Sequence, residues 1–264
     1  MSQCTIYLEG IGLLGPAMAD WPQAAAMLRG DRRYQPEEVR LPAPEMLPAA
    51  ERRRAGDAVK LSMAIGLAAV RDAGADPAVL ANVFSSTGGD CDNCHAILDS
   101  LASPERMISP TRFHNSVHNA PAGYWSIGTR CTAASTSLCT YDATFAAGLL
   151  EAAAQALASA APCLLVAFDT AYPEPLYSLR PIPYAFGLGM VISPVRTANS
   201  RAALSLSLTA DAADELACPT LESLRRSVPT ARSLPLLQRL GQQQTGRVVL
   251  DYLDPLNLAV VVQP

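Results

Sequence analysis

The sequence predicts a layered α/β fold built around a mixed β-sheet. Apolar runs of strand length alternate along the chain with longer stretches whose apolar residues recur at helical spacing. Apolar residues make up 50% of the sequence and charged residues 17%, which is typical of a well-packed globular protein. A chain of 264 residues is long enough to bury a substantial core. We therefore predict a single domain over residues 1–264.

The first predicted strand is an apolar run over residues 5–10 that ends in glycine. With Gly12 and Gly15, this glycine has the spacing of a dinucleotide-binding fingerprint. In that fingerprint the helix begins within the glycine motif, whereas Pro16 and the residues after it place the helix start later. The first acidic residues about 20 positions further on lie in a polar, proline-flanked stretch and not in a strand. We therefore expect a tight turn that uses glycine for positive φ.

The remaining elements are predicted from periodicity and turn residues. The predicted helices are residues 50–74, which end in Gly74, and residues 91–101, 142–160 and 219–240. The predicted strands are residues 79–84, 163–168, 187–193, 201–210 and two runs within 247–263. The continuous apolar run 163–168 predicts a central strand covered on both faces. Turn residues at 254–257 predict a closing hairpin.

The most informative stretch is residues 113–142, FHNSVHNAPAGYWSIGTRCTAASTSLCTYD. It resembles the run that leads a β-ketoacyl synthase to its nucleophilic cysteine. In that family an Asn, small residues and Gly precede a helix that ends in a turn, and a Ser then opens a short strand. The cysteine follows seven residues after this Ser. The pattern is kept by Asn119, Ala120, Ala122, Gly123, Ile127 and Ser135, and seven residues after Ser135 stands Asp142.

The resemblance therefore implies a ketosynthase scaffold that does not carry out the ketosynthase reaction. A carboxylate cannot replace a thiolate, which is the good nucleophile and forms the exchangeable thioester. In ketosynthases two histidines and a lysine follow the cysteine in sequence. Here the three histidines are His95, His114 and His118, all before Asp142, and Lys60 is the only lysine. We predict no catalytic residues in this chain, and we expect Asp142 to cap the N-terminus of its own helix.

Length points to a shortened ketosynthase. The complete enzymes consist of two duplicated halves and run to roughly 400 residues or more, well beyond one ordinary domain. The front of this chain also resembles them, with a strand, a G-x-G motif, a proline-containing turn and a tryptophan-containing helix. The resemblance implies a thiolase-like fold in which residues 1–198 form the N-terminal half and residues 199–264 a reduced C-terminal half.

A ketosynthase scaffold without its nucleophile resembles the chain-length factors of type II polyketide systems. The FHNSVHN segment and the AAGLLEA stretch at 146–152 are similar to the short form found in bacterial aryl polyene clusters. This resemblance implies a heterodimer with an active β-ketoacyl synthase, contact with acyl carrier protein through that complex, and no cofactor.

The same resemblance implies which residues meet the partner. In the family, the strand before the nucleophile pairs across the two-fold axis of the dimer, and the segment before Asn119 lies near the end of the partner's acyl tunnel. The expected interface residues are Ala134, Ser135, Thr136, Ser137 and Leu138. The expected chain-length residues are Arg112, Phe113 and Ser116. Interfaces of this kind commonly bury roughly 2,000 Å² or more, so we expect the lone subunit to be sticky or unstable.

Two other functions remain open from the sequence. Cys139 lies three residues from the expected nucleophile position, and an acyltransferase or hydrolase using it is one alternative. We expect it instead to be a buried structural thiol on the strand, and a G-x-S-x-G nucleophile elbow is absent from the sequence. A homodimeric module that binds carrier proteins is the other alternative.

Metal and haem motifs are present only in part. Cys91-Asp92-Asn93-Cys94-His95 fits the attachment pattern of c-type haem, which is attached outside the cytoplasm. No signal peptide is visible at the N-terminus, so we expect a cytoplasmic protein. The other cysteines are scattered singly, which disfavours a zinc site, and we expect chance thiols at a helix start. His114 and His118 are expected to pack or hydrogen-bond and not to bind metal.

Charge and hydropathy disfavour two further classes of partner. The formal net charge is −4, and the largest basic cluster is Arg52–Arg53–Arg54, which argues against nucleic-acid binding. No uninterrupted apolar run reaches the roughly 18 residues of a transmembrane helix, so no membrane insertion is predicted.

Overall fold

The computed structural model describes residues 4–264, which build one eight-stranded mixed sheet between layers of helices. The strands are β1 Cys4–Leu14, β2 Ala81–Ser85, β3 Ser135–Leu138, β4 Cys163–Asp169, β5 Phe186–Ser193, β6 Ala202–Thr209, β7 Gly246–Leu250 and β8 Asn257–Gln263. Their order across the sheet is β3-β2-β4-β5-β1-β6-β8-β7. The predicted layered α/β class with a mixed sheet is confirmed.

Ten α-helices and two 3-10 segments are formed by residues 4–264. The helices are α1 Trp21–Arg29, α2 Ala49–Arg54, α3 Asp57–Ala73, α4 Cys91–Ala102, α5 Pro110–Asn115, α6 Ala120–Thr129, α7 Thr144–Ser159, α8 Leu176–Leu179, α9 Pro219–Ser227 and α10 Leu234–Gly241. The 3-10 segments are Tyr141–Ala143 and Pro229–Ser233. None of these helices is both long and apolar enough to cross a membrane.

The sheet combines two kinds of strand pairing. β2 pairs in parallel with β3 and β4, whereas β5, β1, β6, β8 and β7 pair antiparallel. One face packs mainly against α3 and α6, and the other against α1, α7, α9 and α10. Every residue of β4 and β5 is buried, so the prediction of a central strand over 163–168 is confirmed.

The predicted glycine turn after residue 10 is wrong, because β1 continues to Leu14. Gly10 and Gly12 lie within the strand, where α3 crosses at close range. A Cβ on Gly10 would lie 2.3 Å from the carbonyl oxygen of Ala69, and a Cβ on Gly12 would lie 2.1 Å from that of Ile65. These glycines therefore allow α3 to pack close to β1, and they do not form a turn.

Two predicted helices are interrupted. The helix predicted over 50–74 divides at Ala55 and Gly56 into α2 and α3, and α3 ends at Gly74 in the left-handed conformation as predicted. The region 219–240 was predicted as one helix but contains α9, a 3-10 helix and α10. Pro229 causes this break, since proline lacks an N–H and disfavours helical backbone at the residue before it.

The two edge strands of the sheet, β7 and β3, differ in whether their outer side is covered. The hairpin of β7 and β8 confirms the predicted closing hairpin, and β7 is covered on its outer side. There the Asp214 N–H donates to the Val249 carbonyl at 2.8 Å, and the Val249 N–H donates to Asp214 Oδ2 at 2.9 Å. At the other edge, β3 pairs only with β2 among the described strands. An uncovered edge can accept a further strand.

Gly12→Ala is predicted to destabilise the fold, because its Cβ would collide with the α3 backbone. Overpacking of this kind costs on the order of 1–3 kcal/mol. Gly123→Ala is the matched control: Gly123 lies exposed in α6, and a Cβ there meets no atom within 4 Å. Alanine should stabilise that helix by about 0.5–1 kcal/mol. Equal melting temperatures for the two variants would contradict the proposed role of the β1 glycines.

Candidate functional site

The candidate site lies at the carboxyl ends of the parallel strands β2, β3 and β4. Because these strands run in the same direction, the turn after β2, the segment after β3 and the end of β4 meet at one end of the sheet. Asp142 lies there, in the 3-10 segment directly before α7. The 3-10 helix Pro229–Ser233 brings the C-terminal part of the chain to the same place, where it packs against α7.

Two arginines hold Asp142. Arg180 Nη2 donates to Asp142 Oδ1 at 2.5 Å, and Arg232 Nη2 lies 3.1 Å from Asp142 Oδ2. The Arg180 guanidinium carbon also lies 3.5 Å from the centroid of the Tyr141 ring, a cation–π contact. The predicted helix cap by Asp142 is wrong, since neither the 3-10 segment nor α7 has a side-chain cap. A charge-assisted hydrogen bond from Arg180 and an ion pair with Arg232 hold the carboxylate instead.

The ion pairs continue from Asp142 into the C-terminal part of the chain. Arg232 Nη1 lies 3.6 Å from Asp251 Oδ1, and Arg225 Nη1 donates to Asp251 Oδ2 at 2.5 Å. The buried guanidinium of Arg225 also donates to both carboxylate oxygens of Glu222 at 2.8 Å. These bonds lower the pKa of Glu222 to about 2. The network thus compensates each buried charge with a partner, as burial of ions requires.

A cleft of about 680 Å³ opens beside Asp142. Its charged lining consists of Asp142, Arg180, Glu222 and Arg226, two residues of each sign. Tyr141 and several prolines complete its walls. Within the described part of the chain, none of the residues lining the cleft is a histidine, lysine or cysteine. The charged groups that the cleft presents are therefore carboxylates and guanidinium groups, and those of Asp142 and Arg180 are paired with each other.

Asp169, the last residue of β4, is a carboxylate with only 1% of its surface exposed. The Thr87 N–H donates to its Oδ1 at 2.9 Å, and the N–H and hydroxyl of Thr230 donate to its Oδ2 at 2.8 and 2.7 Å. Burial raises the pKa of Asp169 to about 6, and these hydrogen bonds partly offset the rise. Asp169 thereby joins the turn after β2 to the 3-10 helix at 229–233.

The family comparison concerns most of the sequence. The family described as β-ketoacyl synthase, N-terminal domain, matches residues 20–249. The chain belongs to this family. No curated protein matches the sequence.

Solved structures of ketosynthase systems share the fold of this ketoacyl-synthase-family chain. A chain from the complex of the ketosynthase ApeO with its chain length factor ApeC from Xenorhabdus doucetiae has a TM-score of 0.75 at 20% identity, over 97% of this chain and 99% of that one. The ishigamide ketosynthase/chain length factor has a TM-score of 0.73 at 15% identity, over 98% of this chain and 99% of that one.

A third similar structure is AntDE:AntF, a type II polyketide acyl carrier protein in complex with its ketosynthase bound to the hexaketide. Its TM-score is 0.74 at 11% identity, over 99% of both chains. At these identities the similarity establishes the fold, so the thiolase-like, ketosynthase-like architecture that the sequence predicted is confirmed.

The predicted interface residues lie at the free edge of the sheet. Ser135–Leu138 form β3, and Ala134 precedes it. The Asn82 N–H donates to the Ala134 carbonyl at 2.9 Å, and the Ser86 N–H donates to the Leu138 carbonyl at 3.2 Å. Because backbone groups alternate in direction along a strand, those of Ser135 and Ser137 point away from β2. Whether they meet a partner stays a prediction.

The predicted chain-length residues lie on and after the short helix α5. Phe113 is 66% exposed, and Met107 and Val117 nearby in sequence are also exposed. The Arg112 carbonyl accepts a hydrogen bond from the Asn93 side chain at 2.8 Å, and the Ser116 hydroxyl donates to the Phe113 carbonyl at 2.8 Å. The backbone of this ketoacyl-synthase-family chain is thus fixed here while its aromatic side chain faces outward. Their role in chain length stays a prediction.

Cys139 is exposed and follows the last residue of β3, so the expectation of a buried thiol on the strand is wrong. The uncovered edge position of β3 explains its exposure. The Cys139 thiol donates to the Thr87 carbonyl at 2.9 Å. Cys91 begins α4, as expected for a thiol at a helix start, and burial raises its pKa to about 11. Such a thiol is protonated at neutral pH and is a poor nucleophile.

His114 and His118 lie in different local structures. His114 lies in α5, whereas His118 lies beyond the end of that helix, with its Nε2 3.0 Å from the Ser86 carbonyl oxygen. Among residues 4–264, no group of three or more histidine, cysteine or acidic side chains is arranged to hold a metal ion.

Three residues that build the site were missed from the sequence: Asp169, Arg180 and Arg232. Asp169 carried a signal, because a charged residue directly after a fully apolar strand marks the carboxyl end of that strand. Arg180 and Arg232 carried none, since Arg180 follows a short helix and Arg232 lies in a 3-10 helix, both far from Asp142 in sequence.

Asp169→Asn is predicted to remove a pH dependence of stability. Burial raises the folded-state pKa of Asp169 to about 6 from 3.8, so the folded protein binds more protons between these values. The resulting stability is fully present below pH 3.8 and is lost as the pH rises through about 6. In urea denaturation from about pH 4 to 7, the wild type should lose on the order of 2–3 kcal/mol relative to Asp169→Asn. Asp31→Asn, which alters an exposed carboxylate, is the control. Parallel profiles for the wild type and Asp169→Asn would contradict this titration.

Proposed function

We propose that this chain is a non-catalytic, chain-length-factor-like subunit that pairs with an active β-ketoacyl synthase and shapes its acyl tunnel. Chain elongation of polyene, polyketide or fatty-acid-like type is the process in which it acts. The observation that carries the proposal is the pairing of Asp142 with Arg180 and Arg232. At the position where the family pattern places a nucleophilic cysteine, this chain has a carboxylate within an ion-pair network.

The chemistry of the cleft supports a non-catalytic role. A carboxylate held by two guanidinium groups does not provide the thiolate that accepts an acyl chain as a thioester. The histidine that lies close to this end of the sheet, His118, contacts a backbone carbonyl. No histidine or lysine follows Asp142 in the sequence. In this proposal the partner supplies all groups for decarboxylation and condensation.

The free edge at β3 supports pairing with a second subunit. The backbone N–H and C=O groups of Ser135 and Ser137 face outward, and another strand can satisfy them. By contrast, Asp214 covers the edge at β7. The ApeO–ApeC and ishigamide structures are described as ketosynthases with chain length factors, which favours a ketosynthase as the partner. The AntDE:AntF complex favours contact with an acyl carrier protein through that pair.

The exposed aromatic residue on α5 supports the tunnel role. Phe113 exposes a bulky apolar side chain, and exposure of such a side chain to water does not stabilise the monomer. In the proposed heterodimer, Arg112, Phe113 and Ser116 form the wall that stops the growing chain. An aryl polyene product class, a cytoplasmic location and the division into residues 1–198 and 199–264 belong to the same proposal.

Native mass spectrometry tests the proposal most directly. The chain is measured alone and co-expressed with a full-length ketosynthase from the same organism, after incubation with malonyl- and acyl-loaded carrier protein. A 1:1 complex acylated only on the ketosynthase is expected. An acyl adduct on this chain would identify a nucleophile, with the exposed Cys139 as the first candidate, and would overturn the proposal. A stable homodimer that does not bind the ketosynthase would overturn the proposal as well.

Ser137→Pro in the same experiment tests the strand edge. Proline removes the outward N–H of Ser137 but leaves the bonds between β3 and β2 in place, and edge strands tolerate it. We expect the folded subunit to persist, as judged by circular dichroism, and the 1:1 complex to be lost. Ser137→Ala keeps the N–H and should retain the complex. Retention of the complex by both variants would show that the partner does not pair with β3.

Phe113→Ala is predicted to lengthen the products of the complex, because the smaller side chain removes the volume that stops elongation. Product length is measured by mass spectrometry of the released chains from the reconstituted pair. Phe113→Tyr retains the bulk of the side chain and should leave the length unchanged. Unchanged products from Phe113→Ala in an intact complex would remove this residue from the tunnel wall.

A further inference from the structure

The segment between β4 and β5 crosses the same end of the sheet as the candidate site. Its two ends are joined by a hydrogen bond from the Tyr172 N–H to the Ile182 carbonyl at 3.0 Å, and the Ile182 side chain is buried. Between these residues lies the short helix α8. The polar contacts of Ser178 go to Glu174 within the same segment. These bonds fix the segment internally but do not attach its tip to the body of the protein.

Arg180 provides that attachment. It follows α8 directly, and its guanidinium group is bound to Asp142 and lies over the Tyr141 ring. Asp142 is itself fixed by Arg232, so the tip is connected to residues after β3 and to the C-terminal part of the chain. The carboxylate at position 142 therefore has a structural task that a cysteine could not perform, because a thiol forms no ion pair with two guanidinium groups.

The attached segment carries exposed apolar side chains. Leu179 is 86% exposed, and Leu176 and Tyr177 are also exposed. Tyr141, beneath Arg180, is 64% exposed and lies three residues after the end of β3. Leu179 precedes Arg180, whose guanidinium group lies over the Tyr141 ring, so α8 is joined by this contact to the segment that follows β3. Exposed apolar side chains grouped in this way mark interaction sites.

We propose that Asp142 is a positioning residue that holds Arg180, and that residues 176–180 thereby form part of the surface that contacts the ketosynthase. The inference rests on the proposed function, because it takes the ketosynthase as the occupant of this surface. It adds a second contact to the β3 edge and assigns a role to the residue that replaced the nucleophile. The Leu179 side chain makes the contact itself, and Asp142 acts through Arg180.

The test measures the affinity of each variant for the co-purified full-length ketosynthase, together with its melting temperature. Leu179→Asp should weaken the complex by about tenfold or more without lowering the melting temperature, since the side chain is exposed. Val195→Asp is the matched control: Val195 is exposed beyond the opposite end of β5, and its substitution should leave the affinity within about twofold.

The positioning role is tested by a double-mutant cycle of Asp142→Asn and Arg180→Gln. If Asp142 acts through Arg180, the double variant binds the ketosynthase no more weakly than Arg180→Gln alone. Losses of affinity that add fully would overturn the positioning role. Wild-type affinity of Leu179→Asp would overturn the contact, even if Asp142→Asn failed to fold. If the wild type itself forms no complex with the ketosynthase, the proposed function fails instead.

Discussion

The buried carboxylate of Asp169 is the contact on which the arrangement of the site depends. It stands at the end of the central strand β4 and binds backbone groups of Thr87 and Thr230, which belong to distant parts of the sequence. An ion buried to this degree is tolerated only because three donors satisfy it. Without it, the turn after β2 and the 3-10 helix at 229–233 would lack their common anchor.

The ion pairs around Asp142 build on this arrangement. Since Asp169 fixes Thr230, it also fixes the 3-10 helix that presents Arg232 to Asp142. From there the pairs run through Asp251 and Arg225 to Glu222, so residues on both sides of the cleft are linked by charge. Breaking a buried pair leaves an uncompensated charge, which costs more than the intact pair contributes. The C-terminal part of the chain is thereby attached at the carboxyl ends of the parallel strands.

The surface of the molecule is correspondingly asymmetric. The edge at β7 is covered by its own chain, while β3 is uncovered and lies close to the exposed residues Cys139 and Tyr141. Exposed apolar residues on α5 and α8 add to this uncovered part. Exposed apolar side chains give a monomer in water no stability, so this part of the surface favours the proposed subunit that works within a complex.

The sequence by itself determined the class of the fold, most strand and helix positions and the presence of a carboxylate at position 142, because periodicity and motif spacing are local properties. The helix over 91–101 and the strand over 163–168 followed directly from them. Only the tertiary structure decided that Gly10 and Gly12 admit α3, that Cys139 is exposed, and that Asp142 binds arginines and not its own helix. Each of these depends on atoms that are brought together by the strand order of the sheet, which the local pattern of residues does not encode.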